Sequence, residues 1–178
     1  MKKDILIPVL AIALACALLF GVSTGLSTLR EENARRELDQ MMKSILPGSG
    51  VFTEEQYSGP DETIRTVYRA ENGHVVHVVT QGYAGDISML VGVNADGSVA
   101  GLVIRELRET WGLGRRALTD REFLSQFLDT RGYAAVGENI DALTGATVTS
   151  RAIARGVNSA CGFVTGADAA SGATGYGG

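Results

Sequence analysis

The chain has 178 residues, a net charge of −4 and 45% hydrophobic residues, which allows one domain with a buried core plus a membrane anchor, but not two domains. No basic stripe with interleaved aromatic residues is present, which argues against nucleic acid as a partner. The two cysteines, Cys16 and Cys161, cannot form a disulfide framework, and no Cys/His group has zinc or iron–sulfur spacing. Any redox chemistry must therefore use an organic cofactor.

Residues 1–29 are predicted to form a short cytoplasmic tip and a transmembrane helix. The segment from Ile5 to Leu29 contains no charged residue and exceeds the ~20 residues that span the hydrocarbon core of a bilayer. Basic residues flank both ends, so charge alone leaves the orientation open. A cleaved signal peptide and a lipoprotein with Cys16 as its lipidated residue are alternatives, but the apolar run is long and no clear cleavage site follows it. We expect a retained single-pass anchor.

Residues 30–50 are predicted to continue as a juxtamembrane helix and a linker. The helix is expected to run from Arg30 to Leu46, because apolar residues recur in it at helical spacing. These residues are Leu38, Met41, Met42, Ile45 and Leu46. Pro47 and two following glycines end it, since proline disfavours helix in the residue before it.

Residues 51–165 are predicted to form a single α+β domain with a mainly antiparallel sheet and flanking helices. The segment 51–57 is short and polar. Four strands are expected: Thr63–Tyr68, His74–Gln81, Ile87–Val93 and Val99–Leu107. Turn residues connect them as two hairpins, Glu71-Asn72-Gly73 in the first and Asn94 to Ser98 in the second. The two histidines, His74 and His77, are three residues apart, so a strand would place them on opposite faces, where they make a poor metal site.

Two amphipathic helices are expected after the strands. The first spans Arg121 to Asp129 and follows an N-cap at Thr119-Asp120. The second spans Ser150 to Phe163, with Ile153, Val157 and two small residues on one face. Residues 166–178 are rich in Gly, Ala and Ser and are predicted to be a flexible tail.

The segment from Asp141 to Ser150 has the composition of an anion-binding corner. Four hydroxyl side chains and a Gly-Ala pair occur just before the last predicted helix, whose N-terminus offers unpaired N–H groups and partial positive charge. Gly145 lets the backbone approach a ligand closely, and the hydroxyls of Thr144, Thr149 and Ser150 can donate hydrogen bonds. These properties alone also fit a plain loop in which Thr149 or Ser150 caps the helix.

The run Asp141-Ala142-Leu143-Thr144-Gly145-Ala146-Thr147 resembles the flavinylation motif D-x-x-[ST]-G-A-T of the FMN-binding domain family. That family includes the G subunit of Rnf electron-transport complexes and the C subunit of the sodium-translocating NADH:quinone oxidoreductase. The resemblance implies that Thr147 carries FMN through a phosphoester, installed from FAD by a flavin transferase. It also places Thr144, Gly145, Ala146 and Thr149 at the cofactor.

Two earlier stretches are similar to the same family. Gly82-Tyr83-Ala84-Gly85 resembles the G-Y-x-G opening of a central strand, and Glu109 to Gly114, E-T-W-G-L-G, resembles an E-T-P-G-L-G loop. The loop implies that Glu109, Thr110 and Leu113 lie beside the flavin. Trp111 replaces the expected proline, and it can either stack on the flavin ring or pack as an ordinary aromatic residue. Glu109 can likewise be a solvated strand-end carboxylate.

The tail contains a second match to the motif. Asp168 to Thr174 reads D-A-A-S-G-A-T, which makes Thr174 a candidate second FMN acceptor. The alternative is a chance match, because Gly, Ala and Ser make up most of both the motif and the tail. No helix is predicted after it, so a helix-terminus phosphate site is not expected there.

The resemblance implies a non-catalytic electron-relay subunit of an Rnf-type complex, which couples ferredoxin oxidation and NAD reduction to sodium or proton movement. Its implied partners are the other membrane subunits, the flavin transferase and the cell membrane, with the FMN domain on the extracytoplasmic side. No G-x-G-x-x-G dinucleotide fingerprint is present, and no Ser-His-Asp or Cys-His arrangement suggests nucleophilic catalysis. Two alternatives are a stand-alone anchored flavoprotein that reduces another acceptor and an anchored scaffold domain without a cofactor.

Overall fold

A computed structural model describes residues 29–108 and 114–166 of the chain. The predicted transmembrane segment up to residue 28, the residues Glu109 to Leu113 and the candidate acceptor Thr174 lie outside these ranges. The chain divides into two compact units, with the boundary after Gln40. Within the described ranges, no helix has both the length and the hydropathy that a membrane crossing requires.

Three α-helices and a five-stranded sheet make up the described structure, together with a 3₁₀ helix at Gly114–Leu118. The helices are α1 at 29–45, α2 at Arg121–Ser125 and α3 at Thr147–Thr165. The strands are β1 Thr53–Gln56, β2 Ile64–Ala70, β3 Gly73–Gln81, β4 Asp86–Asn94 and β5 Val99–Leu107. All neighbouring strands are antiparallel and follow chain order β1-β2-β3-β4-β5. The predicted α+β class with an antiparallel sheet is confirmed.

Both predicted hairpins form, and their turn residues explain them. Between β4 and β5, Gly97 has a φ of +84°, which L-residues rarely adopt. Asp96 stabilises the same turn, because its Oδ1 accepts a hydrogen bond from the backbone N–H of Ser98 at 3.0 Å. Gly73 ends the β2–β3 turn and begins β3, where it lies so close to β4 that an added Cβ would be 2.2 Å from the carbonyl oxygen of Val93.

Strand β1 and helix α2 differ from the sequence prediction. The polar segment Thr53–Gln56 forms strand β1, which pairs with β2 from Thr53↔Arg69 to Gln56↔Thr66. The segment has no apolar residues that alternate with polar ones, so its sequence does not indicate a strand. Backbone hydrogen bonds to the edge of β2 decide its conformation. Helix α2 ends at Ser125 rather than Asp129, and Asp129 itself has a positive φ of 61°. The predicted N-cap of α2 is confirmed, because Asp120 Oδ1 accepts a hydrogen bond from the N–H of Phe123 at 3.0 Å.

One face of the sheet packs against α3 and forms the main core. Gly156 in the middle of α3 brings the helix so close that an added Cβ would be 3.0 Å from Met89 and 3.1 Å from Val78. The fully buried Ile153 and Val157 belong to the same cluster. Burial of this apolar surface is the main force that holds α3 on the sheet.

The end of α1 covers part of the opposite face of the sheet. Gly92 in β4 and Gly101 in β5 are paired across the strands, and added Cβ atoms there would lie 2.4 Å and 2.7 Å from the carbonyl oxygen of Ile45. Leu46 is fully buried at this contact. The following linker is fixed as well, since Asn72 donates to the Pro47 carbonyl at 2.9 Å.

The two histidines lie on opposite faces of β3, as predicted. His74 faces α3, where its ring centroid is 5.7 Å from that of Phe163 in an edge-on arrangement. His77 faces the other way, and its Nε2 lies 2.9 Å from Ser88 Oγ. Neither residue can join the other in binding one metal ion.

We expect the free energy of unfolding to fall as the pH drops from about 7.5 to about 5.5, because both histidines resist protonation in the folded state. Burial lowers the pKa of both histidines below the ordinary value of 6.5. A nearby positive charge lowers it further, from Arg69 for His74 and from Arg105 for His77. Their contribution is therefore fully present above pH 6.5 and is lost below it. Urea unfolding at both pH values measures the change, and a His74→Gln/His77→Gln variant should show a flatter profile. An unchanged profile in that variant would contradict this origin.

Candidate functional site

The site is built around the first turn of α3, which starts at Thr147. The N-cap residue, Ala146, has φ −134° and no side-chain capping bond, and the first turn contains no acidic residue. The first intrahelical bond runs from the Ser150 N–H to the Ala146 carbonyl at 2.9 Å. The earlier N–H groups have no acceptor within the helix, and neither a capping side chain nor an acidic residue of the first turn compensates the positive end of the helix. Such an end is suited to an anion.

A tight turn delivers the chain to this helix. The N–H of Ala146 donates to the Leu143 carbonyl at 2.9 Å, and Gly145 at the third position of the turn has a φ of +76°. A turn of this geometry requires glycine, or less favourably asparagine, at that position. Thr144 and Gly145 are both exposed, so the turn leaves its outer side open next to the helix end.

Gly145→Ala is expected to lower the free energy of unfolding by about 1–2 kcal/mol, since an alanine at this φ is forced into the left-handed region. Urea denaturation of both proteins measures the loss. Gly145→Asn is the matched control, because asparagine tolerates positive φ better than alanine. Equal stability of the Ala and Asn variants would show that the φ of residue 145 does not limit this turn.

The structure divides the four hydroxyls of the segment into two pairs. Thr144 and Thr147 are exposed, whereas Thr149 is only 1% exposed and Ser150 is fully buried. The Ser150 hydroxyl accepts the N–H of Leu143 at 3.0 Å and donates to the Ala146 carbonyl at 3.0 Å. Ser150 therefore fixes the turn to the helix and is not a ligand donor, contrary to the expectation from sequence. The helix also starts three residues earlier than expected, which makes Thr147 its first residue.

Two side-chain amides hold the loop that precedes the site, and sequence reasoning missed both. Asn158 of α3 is buried and makes two hydrogen bonds with the backbone of Ala134: its Oδ1 accepts the N–H at 2.8 Å and its Nδ2 donates to the carbonyl at 3.0 Å. Gln126 Oε1 accepts the N–H of Asp141 at 2.7 Å. An asparagine on the apolar side of an amphipathic helix is the one sequence signal that points to such a role.

The start of α3, the β3–β4 turn and the end of β5 lie at the same end of the sheet. Phe163 near the end of α3 contacts His74 at the start of β3, while Arg155 donates to the Gln81 carbonyl at the end of β3 at 2.9 Å. The N-terminus of α3 therefore points towards the Gly82 to Gly85 turn. An added Cβ on Gly85 would be 3.0 Å from Cβ of Arg108, which directly follows β5. This geometry brings together the G-Y-x-G stretch and the strand that leads into residues 109–113, where Glu109, Thr110 and Leu113 fall outside the described ranges.

The thiol in the core is chemically quiet. Burial raises the pKa of Cys161 to about 11, so it stays protonated at neutral pH and is a poor nucleophile. Among residues 29–108 and 114–166, no three His, Cys, Asp or Glu side chains are grouped to hold a metal ion.

Comparison with known proteins places this site in a family. The FMN-binding domain family matches residues 82–162, which include the G-Y-x-G turn, the D-x-x-T-G-A-T segment and most of α3. The G subunit of the ion-translocating oxidoreductase complex of Methanosarcina acetivorans is 30% identical over 92% of this chain and 94% of its own length. The chain belongs to this family of G subunits, which carry an FMN-binding domain.

Other relatives agree with the assignment. The G subunit of the Na⁺-translocating ferredoxin:NAD⁺ oxidoreductase complex of Acetobacterium woodii is 29% identical over 88% of this chain and 87% of its own length. The G subunit of the proton-translocating ferredoxin:NAD⁺ oxidoreductase complex of Clostridium ljungdahlii is 39% identical over 55% of this chain and 59% of its own length. The described structure fits FMN, because the uncapped start of α3 can receive its phosphate beside an exposed hydroxyl.

Proposed function

We propose that this chain carries FMN on Thr147 through a phosphoester and relays electrons in an Rnf-type ferredoxin:NAD oxidoreductase complex. The observation that carries the proposal is the position of Thr147 in an FMN-binding domain. Its exposed side chain is on the first residue of a helix whose N-cap makes no side-chain bond. An exposed hydroxyl and a helix end that is suited to a phosphate thus coincide.

Attachment to Thr147 is a group transfer from FAD. The Thr147 Oγ1 attacks the phosphorus of the FMN half, the new Oγ1–P bond forms, and the P–O bond of the pyrophosphate breaks. AMP is the leaving group, and the hydroxyl proton passes to a base of the transferase. The product is a phosphodiester with one negative charge, which the unpaired first-turn N–H groups of α3 can stabilise.

The remaining residues supply the environment of the cofactor. Linkage through phosphate leaves the flavin ring free to accept and donate electrons, and that chemistry is the cofactor's own. In this proposal the turn formed by Thr144, Gly145 and Ala146 lies next to the phosphate. The buried Thr149 belongs to the first turn of α3, which binds the phosphate. Glu109, Thr110 and Leu113 lie beside the ring.

The chain is proposed to be held at the cell membrane by residues 1–29, followed by a juxtamembrane segment at 30–50 and the FMN domain at 51–165 on the extracytoplasmic side. The anchor fits because the uncharged run in it is long enough to cross a bilayer. The relatives' names, which describe subunits of ion-translocating complexes, support other membrane subunits as partners. The chain itself would bind neither NAD nor ferredoxin.

Intact-mass analysis after coexpression of the full chain with a flavin transferase tests the cofactor assignment. We expect a mass gain of one FMN less one water, mapped by peptide analysis to the peptide that contains Thr147. A gain of two such units, with the second mapped to the peptide that contains Thr174, would assign a second flavin to Thr174. An unmodified chain in the presence of active transferase would overturn the proposal.

The role in a complex is tested separately by purification of the tagged chain from native membranes in mild detergent. We expect several multi-span membrane subunits to copurify with it. Recovery of a flavinylated chain alone would instead support a stand-alone extracytoplasmic flavoprotein.

A further inference from the structure

Arg151 lies one helical turn after Thr147 on the same face of α3. Residues four apart on a helix are neighbours, and side chains lean towards the helix N-terminus. Arg151 is exposed, and within the described part of the chain no hydrogen bond or ion pair engages its guanidinium. Its side chain can therefore reach back along the helix towards the Thr147 hydroxyl.

Arg155, one turn further on, is different. Its Nη2 donates to the Gln81 carbonyl at 2.9 Å, so this guanidinium is hydrogen-bonded to the end of β3. The two arginines have the same chemistry and lie on the same face of the helix, but of the two only Arg155 makes a hydrogen bond in the described ranges. Arg155 can therefore serve as the hydrogen-bonded control for Arg151.

The placement of Arg151 is unfavourable for the protein alone. A cation in the second turn of a helix is close to the positive end of the helix dipole, where acidic residues are preferred. The first turn of α3 contains no acidic residue, and Ala146 makes no capping bond. The helix end and the guanidinium together concentrate positive charge at Thr147. With an anion bound at this point, Arg151 would stabilise the protein instead of destabilising it.

We propose that Arg151 binds the phosphoester on Thr147 and completes an anion site begun by the first-turn N–H groups of α3. This inference rests on the proposed attachment of FMN at that residue. The planar guanidinium offers paired donors that match two phosphate oxygens. Arg151 thereby restricts rotation about the ester linkage and positions the flavin relative to the helix.

A thermal-unfolding comparison of flavin-free and flavinylated protein tests this assignment. The full chain with Arg151→Gln, Arg151→Lys or Arg155→Gln is produced with and without the transferase, and the mass of every sample is measured first. In flavin-free protein, Arg151→Gln should raise the Tm by about 1–3 °C, because it removes an unfavourable charge near the helix start. In flavinylated protein, it should lower the Tm by about 2–4 °C, because it removes a charge-assisted bond. This reversal of sign is the result expected of direct contact.

The other variants fix the interpretation. Arg151→Lys should keep part of the flavin-dependent gain, since it keeps the charge but not the paired donors. Arg155→Gln should shift the Tm equally with and without flavin, because its bond to Gln81 is independent of the cofactor. An equal shift for Arg151→Gln in fully flavinylated and flavin-free protein would overturn the Arg151 assignment and leave the attachment of FMN intact. Absence of any mass gain in the wild-type chain would instead overturn the proposed function.

Discussion

Thr147→Ala is expected to abolish covalent flavin, seen as complete loss of in-gel flavin fluorescence after denaturing electrophoresis of the coexpressed chain. The substitution removes the only atom that can form the ester at this position. It should leave the fold intact, because residue 147 is exposed and alanine is a good helix former. Far-UV circular dichroism and the Tm check this point.

Two matched variants test which hydroxyl accepts the flavin. Thr147→Ser keeps a hydroxyl at the same position and should keep part or all of the label. Thr174→Ala should keep full fluorescence if Thr147 is the acceptor. Persistent fluorescence in Thr147→Ala that disappears in the double variant with Thr174→Ala would move the site to the tail, and persistent fluorescence in the double variant would refute both sites.

Gly92→Ala is expected to lower the free energy of unfolding by about 2–3 kcal/mol, since overpacking against backbone leaves no flexible side chain to move aside. The added Cβ would lie 2.4 Å from the carbonyl oxygen and 2.9 Å from the carbonyl carbon of Ile45. The end of α1 must then shift away from β4, and part of the contact made by Leu46 is lost. Urea unfolding followed by circular dichroism measures the change.

Gly50→Ala is the matched control for this prediction. Nothing lies within 4 Å of a Cβ added at Gly50, so the variant should keep the wild-type stability within about 0.5 kcal/mol. The proposed flavin site is on α3, on the opposite side of the sheet, so folded Gly92→Ala protein should still be flavinylated. Wild-type stability of Gly92→Ala would show that α1 does not pack firmly at this position.

Local chemistry made the hairpins predictable from sequence. Asp96 and Gly97 suit a tight turn wherever they occur, and the apolar runs on either side of them match strand lengths. The same holds for the end of α1, which Pro47 explains; the helix ends at residue 45, one residue before the predicted end. In each case the deciding interaction is between residues a few positions apart, and these are the interactions that one sequence displays.

The start of α3 shows why the candidate site was only partly predictable. Thr147, Val148 and Thr149 are β-branched residues with low helix propensity, so the sequence favours a loop before Ser150. Packing of the following turns on the sheet overrides this preference, and it also turns Thr149 and Ser150 inward. Which hydroxyl faces solvent depends on helix phase, and phase is set by contacts with distant residues.

Strand β1 and the pair Gly92 and Gly101 depend on contacts between distant parts of the chain. The β1 residues become a strand only because the edge of β2 is available to them. The two glycines are explained only when the end of α1 is seen above them. Neither feature has a local sequence signal, because the partner that decides the outcome lies elsewhere in the chain.

The consecutive strand order has a consequence for how the protein matures. Every strand pairs with the strand next to it in the chain, so the sheet needs little loop closure and should assemble early in folding. Helix α3 packs mainly on β3 and β4, far back along the chain, and its docking should come later. The proposed acceptor hydroxyl of Thr147 is then presented on an ordered helix only after the rest of the domain is in place. A flavin transferase that modifies it would therefore act selectively on chains that have completed folding.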